Sequence, residues 1–222
     1  MLRLDYLLGS EKFNFEKKRN SLKITLVLFG WLTVQFIFNI KGLYSDFPNS
    51  IPPKITLFGI AQTSLVIAVL FFTHSGRTFI DRLPLKQITY LNVVRIPVEI
   101  VLFSLAFHQM IPVIMSFEGL NFDIFAGTTA SLIAYCGYTK MKIGRSWILL
   151  WNIISLGLLI TIIIIAILSA PSPFQKIIFD RPEFALFFFP ITWLPTFVVP
   201  MVLSGHFGSI HRLVKRKETN EN

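Results

Sequence analysis

The sequence predicts an all-α polytopic membrane protein, a bundle of six transmembrane helices with an N-terminal amphipathic helix on the membrane surface. Hydrophobic residues make up 53% of the 222 residues and charged residues only 15%, against about 25% in soluble domains. The apolar residues form long runs of membrane-span length with few charges inside them. Most lysines and arginines lie between these runs, as in chains that cross a bilayer several times.

Residues 1–20 mix leucine, tyrosine and phenylalanine with five basic side chains. They contain no uninterrupted apolar core, so they are predicted to form an amphipathic segment at the membrane surface and not a cleavable signal peptide. Residues 21–211 are predicted to form the six-span transmembrane domain. Residues 212–222 are predicted to form a basic cytoplasmic tail.

The six predicted spans are joined by connections that are too short for a folded soluble domain. Their bounds are 21–40, 54–74, 87–117, 120–139, 146–169 and 184–210. Span 1 carries Gln35 and Asn39 one helical turn apart. Span 6 contains Pro190, Pro195 and Pro200, which predict a bent or broken helix because proline removes a backbone donor.

The distribution of lysine and arginine predicts the orientation. With six spans, one side of the membrane holds both termini and the 75–86 and 140–145 loops, and it carries 16 of the 21 basic residues. The opposite side carries 4, and Arg95 lies inside the membrane. By the positive-inside rule both termini are predicted to be cytoplasmic, with the protein in the cell inner (plasma) membrane. The net charge of +9 then reflects topology, so no nucleic-acid partner is expected.

Span 3 carries Asn92, Arg95 and Glu99 at membrane depth. At about 100° per residue these positions fall within an arc of roughly 60° on one helix face. An ionised group at this depth is expensive, so these residues are candidates for a substrate- or ion-binding site. Arg95 and Glu99 are four residues apart and are predicted to neutralise each other, with Pro97 loosening the turn between them.

Two interpretations of this pair remain open. The pair is either a buried structural contact that fixes the packing of spans 3, 5 and 6, or a protonatable or ion-binding site that faces a cavity. Asn152 of span 5 lies at a similar depth and is expected to find a partner on another helix, with Arg95 or Glu99 as the natural candidates.

A second polar group, Glu118, Asn121 and Asp123, lies where spans 3 and 4 meet, and Gly119 permits a tight turn there. Its oxygen atoms are suited either to attract a cation or to cap the helix of span 4. On the broken span 6, Trp193 and Thr196 are further candidates, since broken helices in transporters present backbone carbonyls to ions and substrates.

No cofactor or metal ion is expected. The single cysteine, Cys136, excludes an intramolecular disulfide and a cysteine metal cluster. A bis-histidine haem is disfavoured because His108 has no partner at its depth, and His74 and His206 are expected near the cytoplasmic boundary as solvated side chains. Ser204 and His206 are too close in sequence for a usual catalytic dyad.

Two stretches of the sequence resemble segments of uncharacterised bacterial multi-span inner-membrane proteins. They are FEGLNFDI at residues 117–124 and FPITWLPT at residues 189–196. The resemblance covers roughly residues 90–210. It implies a bacterial inner-membrane setting, and no activity is attached to such proteins.

The favoured function is a small transporter or channel-like protein for a small solute or ion, with proton coupling through Glu99. The second class is a non-catalytic assembly subunit, in which Arg95 and Glu99 only specify packing. The third is a membrane-embedded enzyme or redox protein that acts on a lipid or quinone. The lipid bilayer is the expected partner, with a homo-oligomer or a membrane partner protein left open.

Overall fold

The computed structural model describes residues 22–44, 54, 61–171, 175–177 and 185–221, and within these ranges the chain is helical with no strand. The predicted N-terminal surface segment, residues 1–20, lies outside the described residues, as does most of the 45–60 connection. The α-helices are α1 Leu22–Ile40, α2 Ala61–Phe72, α3 His74–Arg82, α4 Leu85–Leu91, α5 Arg95–Phe107, α6 Asp123–Ala134, α7 Arg145–Ser169 and α8 Val199–Glu221. Short 3₁₀ turns lie at Asn92–Val94, Val113–Met115 and Ala185–Phe187, and π turns at Tyr135–Thr139 and Leu194–Val198.

Within the described ranges, three helices are long and apolar enough to cross a membrane. They are α1, the continuous α4–α5 rod from Leu85 to Phe107, and α7. Each corresponds to a predicted span, and the rod stays helical although it contains Arg95, Pro97 and Glu99. The chain is therefore an all-α protein with the helices of a membrane protein.

Within the described residues, the other three predicted spans contain no uninterrupted helix of membrane-crossing length, and residues 55–60 of predicted span 2 lie outside the described part. The α2 helix has 12 described residues and ends at Thr73, whose hydroxyl accepts a bond from the Gly76 amide at 3.0 Å and starts α3. The predicted 75–86 loop is therefore mostly helical. The α6 helix also has 12 residues before its π turn. Predicted span 6 begins as a 3₁₀ turn and a π turn, and regular α-helix starts only at Val199, beyond Pro190 and Pro195.

Predicted span 3 is shorter than expected at its far end. The helix stops at Phe107 and not near Phe117, because Gln109 adopts a left-handed φ of 57° and Pro112 has no amide hydrogen. At its middle, a 3₁₀ turn at Asn92–Val94, which is tighter than an α-helical turn, precedes Pro97.

The segment 108–122 folds back along α5. The Gly119 amide bonds to the Ser116 carbonyl at 2.9 Å, and the Leu120 amide bonds to the Ile114 carbonyl at 3.2 Å, so the segment closes into a tight turn. Asn121 then contacts Glu99, which lies eight residues, or about 12 Å, before the end of α5. Helix α6 therefore starts beside the middle of the α4–α5 rod and not beside its end.

Helix α6 runs antiparallel to the α4–α5 rod. Its start at Asp123 meets Arg95, and Gly127 packs against Ile96 and Arg95, where an added Cβ would lie 3.0 Å from the Ile96 side chain. The absence of a side chain at Gly127 thus lets the two helices approach closely.

Helix α8 also runs antiparallel to the rod and to α7. His206 meets Arg95 at mid-helix, while Arg212 donates to the Leu83 carbonyl before α4. Arg145, at the start of α7, donates to the Val214 carbonyl at 3.3 Å. Leu83, Arg145 and Arg212 therefore mark one end of the bundle, here called the basic end. The predicted tail begins inside α8 and is helical.

Helix α1 holds the irregular chain ahead of α8. The Asn39 side-chain amide donates to the Phe187 carbonyl at 2.9 Å and to the Thr192 hydroxyl at 2.8 Å, and its oxygen accepts from the Phe189 amide at 3.0 Å. One turn earlier, Gln35 bonds to Tyr44 and to Gln62. The two polar residues predicted on span 1 therefore bind other parts of the chain.

Gly119 lies in a tight turn that leaves no room for a side chain. A Cβ there would lie 2.4 Å from the Ile114 Cα and 2.6 Å from the Val113 carbonyl oxygen, and both are backbone atoms that cannot rotate away. We expect Gly119→Ala to destabilise the protein by about 1–3 kcal/mol, in the range of overpacking substitutions. Thermal unfolding in detergent measures the change.

Gly157 provides the matched control. It lies on the exposed face of α7, and an added Cβ would meet nothing within 4 Å. Gly157→Ala should leave stability unchanged or raise it by about 0.5–1 kcal/mol, since alanine is the better helix former. Equal unfolding temperatures for the two variants would contradict the tight turn at Gly119.

Candidate functional site

The Arg95 guanidinium lies at the centre of the bundle and is 2% exposed. Its Nη1 donates to the Asp123 carboxylate at 3.0 Å and to the Ser155 backbone carbonyl at 3.1 Å. Its Nη2 lies 2.9 Å from the His206 Nε2. One side chain of the α4–α5 rod thereby binds α6, α7 and α8.

This arrangement corrects the predicted pairing. Within the described residues, the ion pair of Arg95 is with Asp123, 28 positions away, and not with Glu99. A guanidinium presents its donors in a rigid planar fork, which suits partners arriving from different helices better than a neighbour on its own helix. Asp123, expected to attract a cation or to cap span 4 where spans 3 and 4 meet, is part of the centre.

His206 was expected near the membrane boundary but is fully buried, at 0% exposure. A guanidinium donates only, so the His206 Nε2 facing it must be an acceptor, and the ring hydrogen must lie on Nδ1. That Nδ1 is 3.2 Å from the Asn152 Oδ1, and the Asn152 amide donates to the Ile148 carbonyl at 2.9 Å. The hydrogen-bond pattern therefore assigns a neutral imidazole, and Asn152 is linked to Arg95 through it.

Glu99 is 1% exposed and lies one turn beyond Arg95 on the same helix face. Its Oε1 accepts from the Asn121 amide at 2.5 Å. Its Oε2 is buried and forms no hydrogen bond to any residue that the structure describes. With Arg95 paired to Asp123, Glu99 is the carboxyl without a bonded cation in the described part of the site.

Asn121 connects this carboxyl to the folded-back segment. Its amide nitrogen also donates to the Met115 carbonyl at 3.0 Å, and its oxygen accepts from the Asp123 amide at 3.1 Å. The capping interpretation is thus correct in part: the Asn121 oxygen satisfies a free amide at the start of α6, as a capping side chain does. The same residue holds Glu99.

The remaining predicted residues lie apart from this centre. Asn92 is 3% exposed on the predicted face, but its amide donates to the carbonyls of Ile88 and Thr89 on its own helix. Glu118 is exposed. Thr196 donates to the Thr192 carbonyl at 2.7 Å, and Trp193 packs edge-on against Phe189. Among the described contacts, none joins these two residues to Arg95 or Glu99.

The predicted depth of His206 was wrong because α8 extends to Glu221, eleven residues past the predicted end of span 6. A signal was present in the sequence, since the basic residues after Arg212 continue without a helix terminator. The Ser155 carbonyl carried no signal, because a backbone acceptor is independent of side-chain identity.

In the described part of the chain, no group of three or more His, Cys, Asp and Glu side chains is arranged to hold a metal ion. The described centre is instead a hydrogen-bonded set of one cation, two carboxyl groups, one neutral imidazole and two amides. Such a set can bind and release a proton without a cofactor.

Comparison with known proteins adds no relative: no protein family, curated protein or solved structure matches this chain.

The pairing of Arg95 with Asp123 can be tested by exchange for apolar residues. Arg95→Met should cost about 3–5 kcal/mol, because it leaves the Asp123 carboxylate buried without its partner. Adding Asp123→Leu should recover most of that loss, whereas adding Glu99→Leu should not. Thermal unfolding of the three variants in detergent gives the comparison. Recovery by Glu99→Leu alone would show that Glu99 is the real counter-ion.

Proposed function

We propose that this protein is a small membrane transporter that moves a small solute or ion, and that Glu99 couples the movement to a proton. The observation that carries the proposal is the Glu99 carboxyl, which is buried at mid-helix with an amide contact and no bonded cation among the described residues. Ionisable groups inside membrane proteins mark ion and proton pathways by default.

The charge balance of the centre supports a protonatable Glu99. Arg95 and Asp123 neutralise each other, so an ionised Glu99 would leave one uncompensated negative charge in a buried site. Such groups bind a proton in preference to remaining charged. Entry of water or a solute beside Glu99 reverses that preference. Proton release would thus be coupled to a change in the surroundings of the carboxyl.

Irregular backbone beside the site supports the transport class. Neither segment 108–122 nor segment 185–198 forms regular α-helix in its described residues, and the two touch where the Ala185 amide donates to the Met110 carbonyl at 3.2 Å. Non-helical backbone at membrane depth is tolerated where it is buried in protein or lines a cavity. Broken helices of this kind form the moving parts of several transporter folds.

The proposed topology has six crossings, with the basic end cytoplasmic, both termini on that side, and the inner (plasma) membrane as location. The α4–α5 rod and α7 both begin at the basic end, so the chain between them must return there. Helix α6 with its π turn, and the α2–α3 pair, are the returning segments in this proposal. The excess of lysine and arginine on one side supports the orientation.

Single-cysteine labelling tests this topology after Cys136→Ser. Cysteines at Ser75 and Asn222 should stay unlabelled when an impermeant thiol reagent is added outside intact cells. A cysteine at Lys176, an exposed position after α7, should be labelled in the same experiment. Labelling at Ser75 or Asn222 from outside would refute the proposed orientation.

Transport is tested with Glu99→Gln, which keeps the shape of the side chain and its acceptor for Asn121 but removes the titratable group. The purified protein is reconstituted into vesicles containing a pH dye and screened against ions and small metabolites. For a solute that drives proton uptake in the wild type, we expect Glu99→Gln to abolish the uptake while the protein stays folded.

Glu118→Gln is the matched control, because Glu118 is an exposed acid outside the centre. It should retain uptake close to that of the wild type. Uptake by Glu99→Gln at the wild-type rate would exclude Glu99 as the coupling group. Wild-type vesicles no more permeable than empty ones across the whole panel would overturn the transport function itself.

The second candidate function is a non-catalytic subunit of a membrane assembly, as a homo-oligomer or with a partner protein. It is favoured by the surface of α1, where large apolar side chains such as Leu26, Val27 and Phe29 are exposed. A single mass equal to one chain in mild detergent and in native nanodiscs would exclude it. A larger complex combined with an inactive vesicle assay would make it the better description.

A further inference from the structure

Three polar atoms on one face of the α4–α5 rod are buried and form no hydrogen bond within the described part of the chain. They are the Asn92 Oδ1, the Arg95 Nε and the Glu99 Oε2. A buried polar group without a partner costs about 1–3 kcal/mol. Three such atoms lie in consecutive turns of one helix, so the free-energy cost of burying them must be offset by other hydrogen-bond partners.

Buried water molecules can hydrogen-bond to such atoms, and ordering them costs little free energy. Side chains three or four residues apart on a helix are about 5–6 Å from each other, which is the span of two hydrogen bonds through one water molecule. A water beside Arg95 would accept from the Nε hydrogen and donate to the Glu99 Oε2. A second would complete the row to the Asn92 Oδ1. Buried waters typically make about three bonds of this kind.

The polar row continues toward the basic end. On α8, the Ser209 hydroxyl lies three residues beyond His206 toward Arg212 and is buried without a bond to any described residue. Tyr138, in the π turn after α6, also has a buried hydroxyl without a hydrogen bond to any described residue. Arg212 itself marks the basic end.

On the opposite side of Glu99, the residues that follow on α5 and α7 belong to the apolar core. Beyond Glu99 on α5 come Leu102 and Ala106, and beyond Ser155 on α7 comes Leu159. Other buried members of this core are Ile111, Met115, Ile162, Ile165, Phe187 and Val202. The layer separates Glu99 from Ser169 and Trp193, whose unbonded polar atoms lie far along α7 and before α8.

We propose that a file of buried water runs from the basic end past Asn92 and Arg95 to the Glu99 carboxyl, and stops at the apolar layer beyond it. The conformation described here is then the one in which Glu99 exchanges its proton with the basic end. Glu99 as a proton carrier rests on the proposed transport function, whereas the water file rests only on the atoms named above.

Radiolytic hydroxyl-radical footprinting with mass spectrometry tests the file on the intact protein, because the radicals form from water molecules in place. His206 and Met115 are matched reporters, with exposures of 0% and 1%. His206 contacts Arg95 beside the proposed file, and Met115 lies in the apolar layer. We expect His206 to be modified at least five-fold more than Met115, although methionine is the more reactive side chain.

Asn92→Leu removes the acceptor at the middle of the file and fills its space, and should lower His206 modification at least three-fold. Thr196→Val is the control, since Thr196 is equally buried but lies before α8; it should change nothing. Ser209→Ala provides a second variant if Asn92→Leu does not fold.

Each result decides the proposal. Modification of Met115 at or above the level of His206 would place water on both sides of Glu99, and an unmodified His206 would show a dry site. Either result overturns the file, as does a His206 signal unchanged in both variants. The measurement uses no solute, so a failed vesicle assay would leave a positive footprint standing and would remove only the role of Glu99 in transport.

Discussion

The buried guanidinium of Arg95 is the constraint on which the rest of the structure depends. A permanent charge with five donors at the middle of an apolar bundle must find acceptors on every side, or its desolvation exceeds what the fold can offset. Here α6 supplies a carboxylate, α7 a backbone carbonyl and α8 a neutral imidazole. Each partner fixes the axial position of its helix relative to the α4–α5 rod, because an axial shift of one residue, about 1.5 Å, would break a bond. This charged contact therefore also specifies helix register.

The same constraint separates the two charged residues of span 3 into different roles. Arg95 has polar partners on three helices and holds them together. It therefore fits the interpretation in which the buried charge is a structural contact. Glu99 is held by one amide, and its second oxygen has no partner among the described residues. Because Arg95 is paired with Asp123, it does not serve as the bonded counter-ion of Glu99. The proposed function rests on this difference.

The sequence predicts well what depends on neighbours along the chain. The three long helices follow from long, mostly apolar runs, and the shared face of Asn92, Arg95 and Glu99 follows from helical periodicity alone. Prediction from the sequence fails for contacts between residues that are distant along the chain. Nothing local indicates that segment 108–122 turns back by about 12 Å and carries Asn121 and Asp123 to mid-helix. The i,i+4 rule favoured Arg95 with Glu99 because it compares only residues on the same helix.

The irregular segments explain how such a centre can coexist with a membrane. The chain ahead of α8 has its carbonyl, amide and hydroxyl groups bound by Asn39, and the folded-back segment has Asn121 bound to the Met115 carbonyl. Side-chain amides thus replace helical hydrogen bonds at the two places where proline interrupts them. These bonds are neutral and individually modest, about 0.5–1.5 kcal/mol each, whereas the Arg95 contacts are charge-assisted. A rearrangement that opens Glu99 to the opposite end would therefore break the amide contacts first and keep the Arg95 contacts as its fixed point.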